Sequence, residues 1–180
     1  GLSELAGQKT ALDGFNLQDQ QGRPFTLASL AGADALIAAF HTTCHETCPI
    51  YTGLFLQLHR LVPAGTRLVE VTTDPAVDTP AALRQYAAET GADWTLATGD
   101  ETELARFWAQ FGTELSGLDS HTSTLAVVDR HGYVRLVYRG VPDVSGSLPA
   151  QLAARLSPTG QAELKGHGQG WGATQVLDAL

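Results

Sequence analysis

The stretch that decides the fold joins an apolar run to a pair of cysteines: residues 35–50 read ALIAAFHTTCHETCPI. The run over residues 35–40 has the length and setting of a buried β-strand. The apolar spacing after it predicts a helix over residues 49–62, with a proline at its first position. Cys44 and Cys48 therefore lie in a strand-to-helix turn.

The two cysteines, which are the only ones in the chain, stand four positions apart. A disulfide between them would close too short a loop to stabilise the fold, so the pair indicates redox chemistry or metal binding. A thiol at the start of a helix faces unpaired N–H groups and the positive end of the helix dipole, and both favour the thiolate. The cysteine count alone does not choose between these roles, and two buried cysteines without a chemical role are a third alternative.

Composition indicates a globular domain and argues against several classes of function. The chain has 180 residues, of which 43% are hydrophobic and 17% charged, so it is long enough for one domain with its own core and is not disordered. A net charge of −8 argues against general binding to nucleic acid or anionic lipid. The longest apolar stretch is far too short to cross a membrane. Because the chain starts at Gly1 and contains no methionine, we expect a signal or anchor segment outside it.

Strand and helix signals alternate along the rest of the chain, which predicts an α/β fold with a mixed sheet flanked by helices on both faces. We expect a single domain over residues 1–180. Residues 142–172 are rich in glycine and proline and predict a loop-rich insertion before a last helix over residues 173–180. The other predicted elements are an N-terminal hairpin over 14–27, strands over 67–73 and 94–97, helices over 80–89 and 101–111, and a closing hairpin over 123–139.

Several separate motifs together resemble the Sco/SenC family, and the likeness covers residues 14–140. The resemblance implies a thioredoxin-like fold with an N-terminal β-hairpin. The motifs are the opening hairpin FNLQDQQGRPF over 15–25, the Cys44-x-x-x-Cys48-Pro49 turn, the signatures TTDP at 72–75 and DTP at 78–80, and Ser120-His121 before the closing hairpin.

The chain departs from the family pattern at two places beside the cysteines. His45 and Glu46 stand where the family often has Pro-Asp, and His41 stands where an aromatic residue commonly precedes the threonine at the strand end. Neither change removes a ligand, but both alter the electrostatic field around the thiols.

The resemblance implies a copper site made of Cys44, Cys48 and His121. Cu(I) is soft and prefers thiolates, with imidazole an acceptable partner. Two residues four positions apart lie on one helical face, so both sulfurs can approach one ion. Three ligands suit Cu(I), whereas Cu(II) would need further ligands such as water.

Three other residues are candidates for a supporting or docking role at this site. Asp74 ends a sheet strand, where an open α/β sheet binds its ligands, but an aspartate before proline also simply makes a turn. We give these two interpretations equal weight. His41 and His45 are surface or turn residues by default, although either could hold a departing ion or lower the cysteine pKa values.

The resemblance implies a metallochaperone that delivers copper, or prepares the acceptor thiols, for assembly of the copper centre of cytochrome c oxidase. The implied partners are the copper-acceptor subunit of that oxidase and another copper chaperone or a thiol reductase. The implied location is the periplasmic side of the inner membrane, with membrane attachment only through an anchor outside this sequence.

The alternative function is a thiol–disulfide oxidoreductase that uses Cys44 and Cys48, which leaves open whether the protein is an enzyme. Dedicated thioredoxin-type reductases usually have Cys-x-x-Cys spacing, and a dithiol mechanism needs no histidine at position 121. Both observations favour the chaperone. The two roles can coexist, because a bound metal and a disulfide are exclusive states of one cysteine pair.

Overall fold

The computed structural model describes residues 2–3, 10–115, 123–145, 148–166, 168 and 170–180. Within them the strands are β1 (Leu2–Ser3), β2 (Thr10–Ala11), β3 (Asn16–Asp19), β4 (Pro24–Thr26), β5 (Ala35–Phe40), β6 (Arg67–Thr72), β7 (Thr95–Thr98), β8 (Thr124–Val128) and β9 (Tyr133–Arg139). The helices are α1 (Leu27–Leu30), α2 (Cys48–Leu58), α3 (Pro80–Thr90), α4 (Glu101–Ala109), α5 (Ala150–Ala153), α6 (Pro158–Lys165) and α7 (Ala173–Asp178).

These strands form one mixed sheet in the order β1-β9-β8-β5-β6-β7-β3-β4, with β2 also paired to β9. The central strands β5, β6 and β7 run parallel, and the flanking strands pair antiparallel to their neighbours. The predicted mixed α/β sheet is thereby confirmed. Parallel pairing brings the ends of β5 and β6 together, since Phe40 lies opposite Thr72. The cysteine turn (residues 41–48) and the Asp-Pro loop (residues 73–79) therefore leave the same edge of the sheet.

The central strand β5 is buried on both faces, as its continuous apolar run predicts. Side chains of a strand alternate between the two faces of the sheet. Leu36, Ala38 and Phe40 accordingly pack into one core with α2, α3 and α7. Ala35, Ile37 and Ala39 pack into a second core with α1 and α4. Two covered faces hold the strand, and with it the start of the cysteine turn, in a fixed position.

The caps of two helices follow the sequence signals. Thr79 accepts a hydrogen bond from the N–H of Ala82 at the start of α3, and Asp100 does the same for Glu103 in α4. The predicted end of α2 is wrong, because the helix stops at Leu58 rather than at residue 62. The apolar spacing continues to Val62, which packs against the core, but residues 59–61 form a turn ahead of Pro63, and a residue before proline disfavours the helical conformation.

Residues 142–172, for which the sequence predicts a loop-rich insertion, include the short helices α5 and α6. The two ends of this stretch meet, because Asp143 bridges Gly172 and its N–H donates to the carbonyl of Trp171 at 2.7 Å. A Cβ at Gly168 would lie 2.5 Å from the nitrogen of Asp143, and φ there is +70°, so this position requires glycine. In the part of the chain that the structure describes, no helix has the length and apolar character to span a membrane.

Candidate metal centre

Cys44 and Cys48 lie next to each other at the start of α2, and both are free thiols. Their side chains are nearly inaccessible, with 3% and 5% exposure. The N–H of Cys48 donates to the sulfur of Cys44 at 3.3 Å, and the N–H of Cys44 donates to the carbonyl of His41 at 3.1 Å. The turn is thus closed by its own backbone, and Cys48 is the first residue of the helix.

His41 joins the two cysteines in a group that could hold a metal ion. One ligand atom from each of the three residues lies within 4.8 Å of the others. This spacing is compatible with a single ion bound at about 2.0–2.3 Å from nitrogen and sulfur donors. No second group of three such side chains occurs among the described residues. The sequence predicts a supporting role for His41, and the structure places a ring nitrogen of His41 within 4.8 Å of both cysteine sulfurs.

The distant histidine of the predicted ligand set, His121, lies outside the described residues. The structure therefore brings together His41, Cys44 and Cys48, and the participation of His121 stays a prediction.

The two thiols have opposite pKa shifts. The hydrogen bond from Cys48 lowers the pKa of Cys44 to about 4, outweighing the opposing effect of burial, and a hydrogen bond from His41 lowers it further. Burial raises the pKa of Cys48 well above its ordinary value, and the neighbouring Cys44 adds to this effect. Near neutral pH the reduced pair therefore holds one thiolate and one thiol, and the nucleophilic sulfur is that of Cys44.

Asp78, which the sequence names only as part of the DTP signature and not as a site residue, anchors the cysteine turn. Its side chain is fully buried and accepts hydrogen bonds from the hydroxyl of Thr42, from the N–H of Thr42 at 3.2 Å and from the hydroxyl of Thr72 at 2.5 Å. It thereby ties the end of β6 to the residue after His41. The DTP signature contains Asp78, but nothing in the local pattern distinguishes a buried anchor from an ordinary turn aspartate.

Asp74 and His45, both predicted to support the site, make other contacts. The N–H of Asp74 donates to the hydroxyl of Thr72 at 3.0 Å, and its carbonyl accepts from the N–H of Asp78 at 3.0 Å. These are the bonds of a turn, so a ligand or docking role for Asp74 stays a prediction. The ring Nδ1 of His45 lies 2.9 Å from the carbonyl oxygen of Arg155, and the side chain is exposed. His45 thus contacts the C-terminal part of the chain.

A buried carboxyl group lies in the same core as the cysteines. Glu70 in β6 is fully buried, accepts a hydrogen bond from the indole N–H of Trp94 at 2.9 Å and another from the hydroxyl of Thr52 at 3.1 Å. Burial raises the pKa of Glu70 to about 7. The sequence did not reveal this group, because an alternating strand pattern predicts that one face is polar and exposed.

Replacing Glu70 with glutamine is expected to remove a pH-dependent loss of stability. The pKa of Glu70 is about 7 in the folded protein and 4.5 ordinarily, so its contribution is fully present below pH 4.5 and lost as the pH rises through 7. The loss amounts to about 3 kcal/mol, at roughly 1.4 kcal/mol for each pH unit between the two pKa values. Glutamine can accept from Trp94 and donate to Thr52 in the same space.

Urea denaturation at pH 5 and pH 8 measures this effect. The difference in unfolding free energy between Glu70→Gln and wild type should favour the variant more at pH 8 than at pH 5. Glu163→Gln, at an exposed position of α6, is the matched control and should show no such change. An equal difference at both pH values for Glu70→Gln would contradict the prediction.

Comparison with known proteins finds related sequences over most of the chain. The SCO1/SenC family model matches residues 3–147. A protein of Stutzerimonas stutzeri, provisionally named as copper-binding, is 32% identical over 143 residues, which cover 73% of this chain and 70% of that protein.

Solved structures of similar proteins have the same fold. BsSco, a member of the Sco family of cytochrome c oxidase assembly proteins for which a disulfide switch is described, is 25% identical, with a TM-score of 0.64 over 76% of this chain and 85% of BsSco. Yeast Sco1 with copper bound is 20% identical, with a TM-score of 0.65 over 74% of this chain and 84% of the yeast chain. The thioredoxin-like architecture predicted from the sequence is thereby confirmed.

Proposed function

The chain belongs to the SCO1/SenC family, and we propose that it is a metallochaperone that carries copper on Cys44 and Cys48. One observation supports this proposal above the others: two buried cysteine sulfurs and an imidazole nitrogen lie within 4.8 Å of one another. Thiolates with an imidazole form a soft donor set, which suits Cu(I) better than a hard cation.

The proposed ligands are both cysteines with a histidine as third donor. His121 fills that position by family resemblance, and His41 is the histidine already within ligand distance of the sulfurs. Binding through both sulfurs requires Cys48 to lose its proton, so copper binding releases protons and weakens at low pH. Such a low-coordinate site suits transfer, since a partner thiolate can attack the ion before the first ligand dissociates.

The proposed acceptor is the copper-binding subunit of cytochrome c oxidase, with another copper chaperone or a thiol reductase as a further partner. The relatives support this, since BsSco is described as an assembly protein of that oxidase. The proposed location is the periplasmic side of the inner membrane, with attachment through an anchor outside this sequence.

A thiol–disulfide oxidoreductase is the second candidate function. The low pKa of Cys44, caused mainly by the hydrogen bond from Cys48, favours it, because a thiolate is the attacking form in disulfide exchange. In this reaction the Cys44 thiolate would attack one sulfur of a partner disulfide, so that the partner S–S bond breaks, the other partner sulfur leaves as a thiolate and a mixed disulfide with Cys44 forms. Cys48, after losing its proton, would then displace the reduced partner and leave a Cys44–Cys48 disulfide.

Anaerobic titration with Cu(I) against a competing chelator tests the proposed function. Fully reduced protein is expected to bind about one Cu(I) per chain, because the described residues contain a single group of soft ligands. Protein oxidised to the Cys44–Cys48 disulfide should bind no Cu(I) until it is reduced. Equal binding by the oxidised and reduced forms would show that histidines alone are the ligands and would contradict the proposed site.

A further inference from the structure

The C-terminal segment, residues 148–166, packs directly against the cysteine turn, although it lies beyond the part of the chain that matches the family model. The N–H of Ser157 donates to the carbonyl of His45 at 2.8 Å, and the ring of His45 contacts the carbonyl of Arg155. Gly160 also abuts the turn, since a Cβ there would lie 2.6 Å from the carbonyl oxygen of His45.

The guanidinium of Arg155 reaches the beginning of the same turn. Its Nη2 donates to the carbonyl of Thr42 at 3.1 Å, and its Nη1 pairs with the carboxylate of Glu89 at 2.9 Å. The group also lies over the ring of Tyr86, 4.9 Å from the ring centre. The Arg155 side chain is only 20% exposed and the Glu89 carboxylate is 47% exposed, so the bond to Thr42 is the better shielded from water of the two.

Thr42 is consequently held on both sides. Its N–H and hydroxyl donate to Asp78 of the Asp-Pro loop, and its carbonyl accepts from Arg155 of the C-terminal segment. At the other end of the turn, Thr47, the N-cap of α2, makes no side-chain capping bond among the described residues, and its hydroxyl instead lies 3.1 Å from that of Ser123. These two anchors fix the beginning of the turn, and the backbone bonds of the turn itself and the bond from Ser157 to His45 hold the rest of it.

We propose that Arg155 is a positioning residue of the cysteine turn. It holds the backbone of Thr42 and thereby fixes the spacing between His41 and the two sulfurs. Arg155 acts through Thr42 and the turn rather than as a ligand. The proposal concerns backbone geometry and stands without copper, whereas its consequence for copper affinity rests on the proposed function.

Amide hydrogen exchange on the reduced protein tests this role directly. In Arg155→Ala the amides of Cys44 and Cys48 are expected to exchange about tenfold faster than in wild type, the scale of one lost charge-assisted hydrogen bond. Amides in the centres of β5 and β8 should exchange at unchanged rates. A merely stabilising arginine would instead accelerate all of these amides together through global unfolding.

Two further variants make the result decisive. Arg155→Lys keeps the charge but cannot donate to Thr42 and Glu89 with one planar group, so turn exchange should still be accelerated. This milder variant decides the outcome if Arg155→Ala does not fold. Arg84→Ala is the matched control, because Arg84 donates to the carbonyl of Gln20 at 2.8 Å, away from the turn. Unchanged turn exchange in the folded Arg155 variants, or equal acceleration by Arg84→Ala, would overturn the proposal.

Copper binding provides a second readout that separates this inference from the proposed function. Reduced Arg155→Ala should bind Cu(I) about tenfold more weakly than wild type, as expected when a residue that orients the ligands is lost. Faster turn exchange with unchanged affinity would support the positioning of the turn and reject its importance for copper. Wild-type protein that binds no Cu(I) would overturn the proposed function, and the exchange rates alone would then decide the role of Arg155.

Discussion

Replacing either Cys44 or Cys48 with serine is expected to weaken Cu(I) binding by at least about a hundredfold, a larger loss than removal of a residue that only orients a ligand. A serine hydroxyl is a hard donor that stays protonated near neutral pH, so it does not replace a thiolate on a soft ion. Loss of one sulfur leaves the ion with a single thiolate and imidazole. The measurement is the anaerobic titration of each reduced variant against a competing chelator.

Two histidine variants provide a comparison for the loss of Cu(I) affinity in the cysteine variants. His121→Ala is expected to weaken Cu(I) binding by about 10–100-fold, and its disulfide reductase activity should change by less than about threefold. His131→Ala, in the exposed turn between β8 and β9, serves as the control without effect on copper. Tight binding that survives in both serine variants would remove the cysteines from the site. Intact copper affinity with lost reductase activity in His121→Ala would make the oxidoreductase the primary function.

Residues that follow local rules could be predicted from the sequence. The apolar run of β5 predicts a strand buried on both faces, and the prolines at positions 49 and 80 mark helix starts that the structure contains. The signals around Cys44 and Cys48 predict a strand-to-helix turn, which is where the two cysteines lie, but they do not share a helical face, because Cys44 precedes α2 and only Cys48 begins it. In each case a few neighbouring residues determine the conformation, so the pattern is sufficient.

Residues whose role depends on distant contacts could not be predicted. Asp78 is buried because two threonines from β6 and the cysteine turn surround it, and Arg155 reaches Thr42 across 113 positions of sequence. Glu70 is buried because helices cover that face of the sheet, although its charge favours an exposed position. His41 could be predicted in part. Its position three residues before Cys44 indicates that it lies near the cysteines, but not that a ring nitrogen lies within 4.8 Å of both sulfurs.

The turn combines an ionised sulfur with poor access. Cys44 has a thiolate-stabilising environment but is 3% exposed, and the C-terminal segment covers the adjacent backbone. A reagent or partner must therefore approach a small part of the sulfur, which slows the reaction of Cys44 with a bulky disulfide. The same burial raises the pKa of Cys48, so the second sulfur becomes a good donor only when an ion displaces its proton.

Replacing Cys48 with alanine is expected to raise the pKa of Cys44, whereas replacing it with serine should leave that pKa low. The hydrogen bond from Cys48 is the largest cause of the lowered value of about 4, and serine retains a donor that alanine lacks. Ultraviolet absorbance of the thiolate, followed against pH in reduced protein, measures the change. In wild type the signal of one thiolate should disappear with a midpoint near pH 4, and in Cys48→Ala the midpoint should move to higher pH.

Ionisation of Cys44 also makes the free energy of unfolding depend on pH. Because the pKa of Cys44 is lower in the folded protein than its ordinary value of 9.0, its contribution to stability is fully present above pH 9 and lost as the pH falls through about 4. In Cys48→Ala, where the folded pKa of Cys44 is closer to 9.0, this loss should be smaller and should end at higher pH than in Cys48→Ser, which urea denaturation of the two variants between pH 4 and pH 9 would measure. If the ultraviolet titration midpoints of Cys48→Ala and Cys48→Ser were equal, the hydrogen bond from the Cys48 side chain would be excluded as the main cause of the low pKa of Cys44. The remaining side-chain donor, His41, would then be the group that keeps Cys44 ionised. In that case His41→Ala should raise the pKa of Cys44.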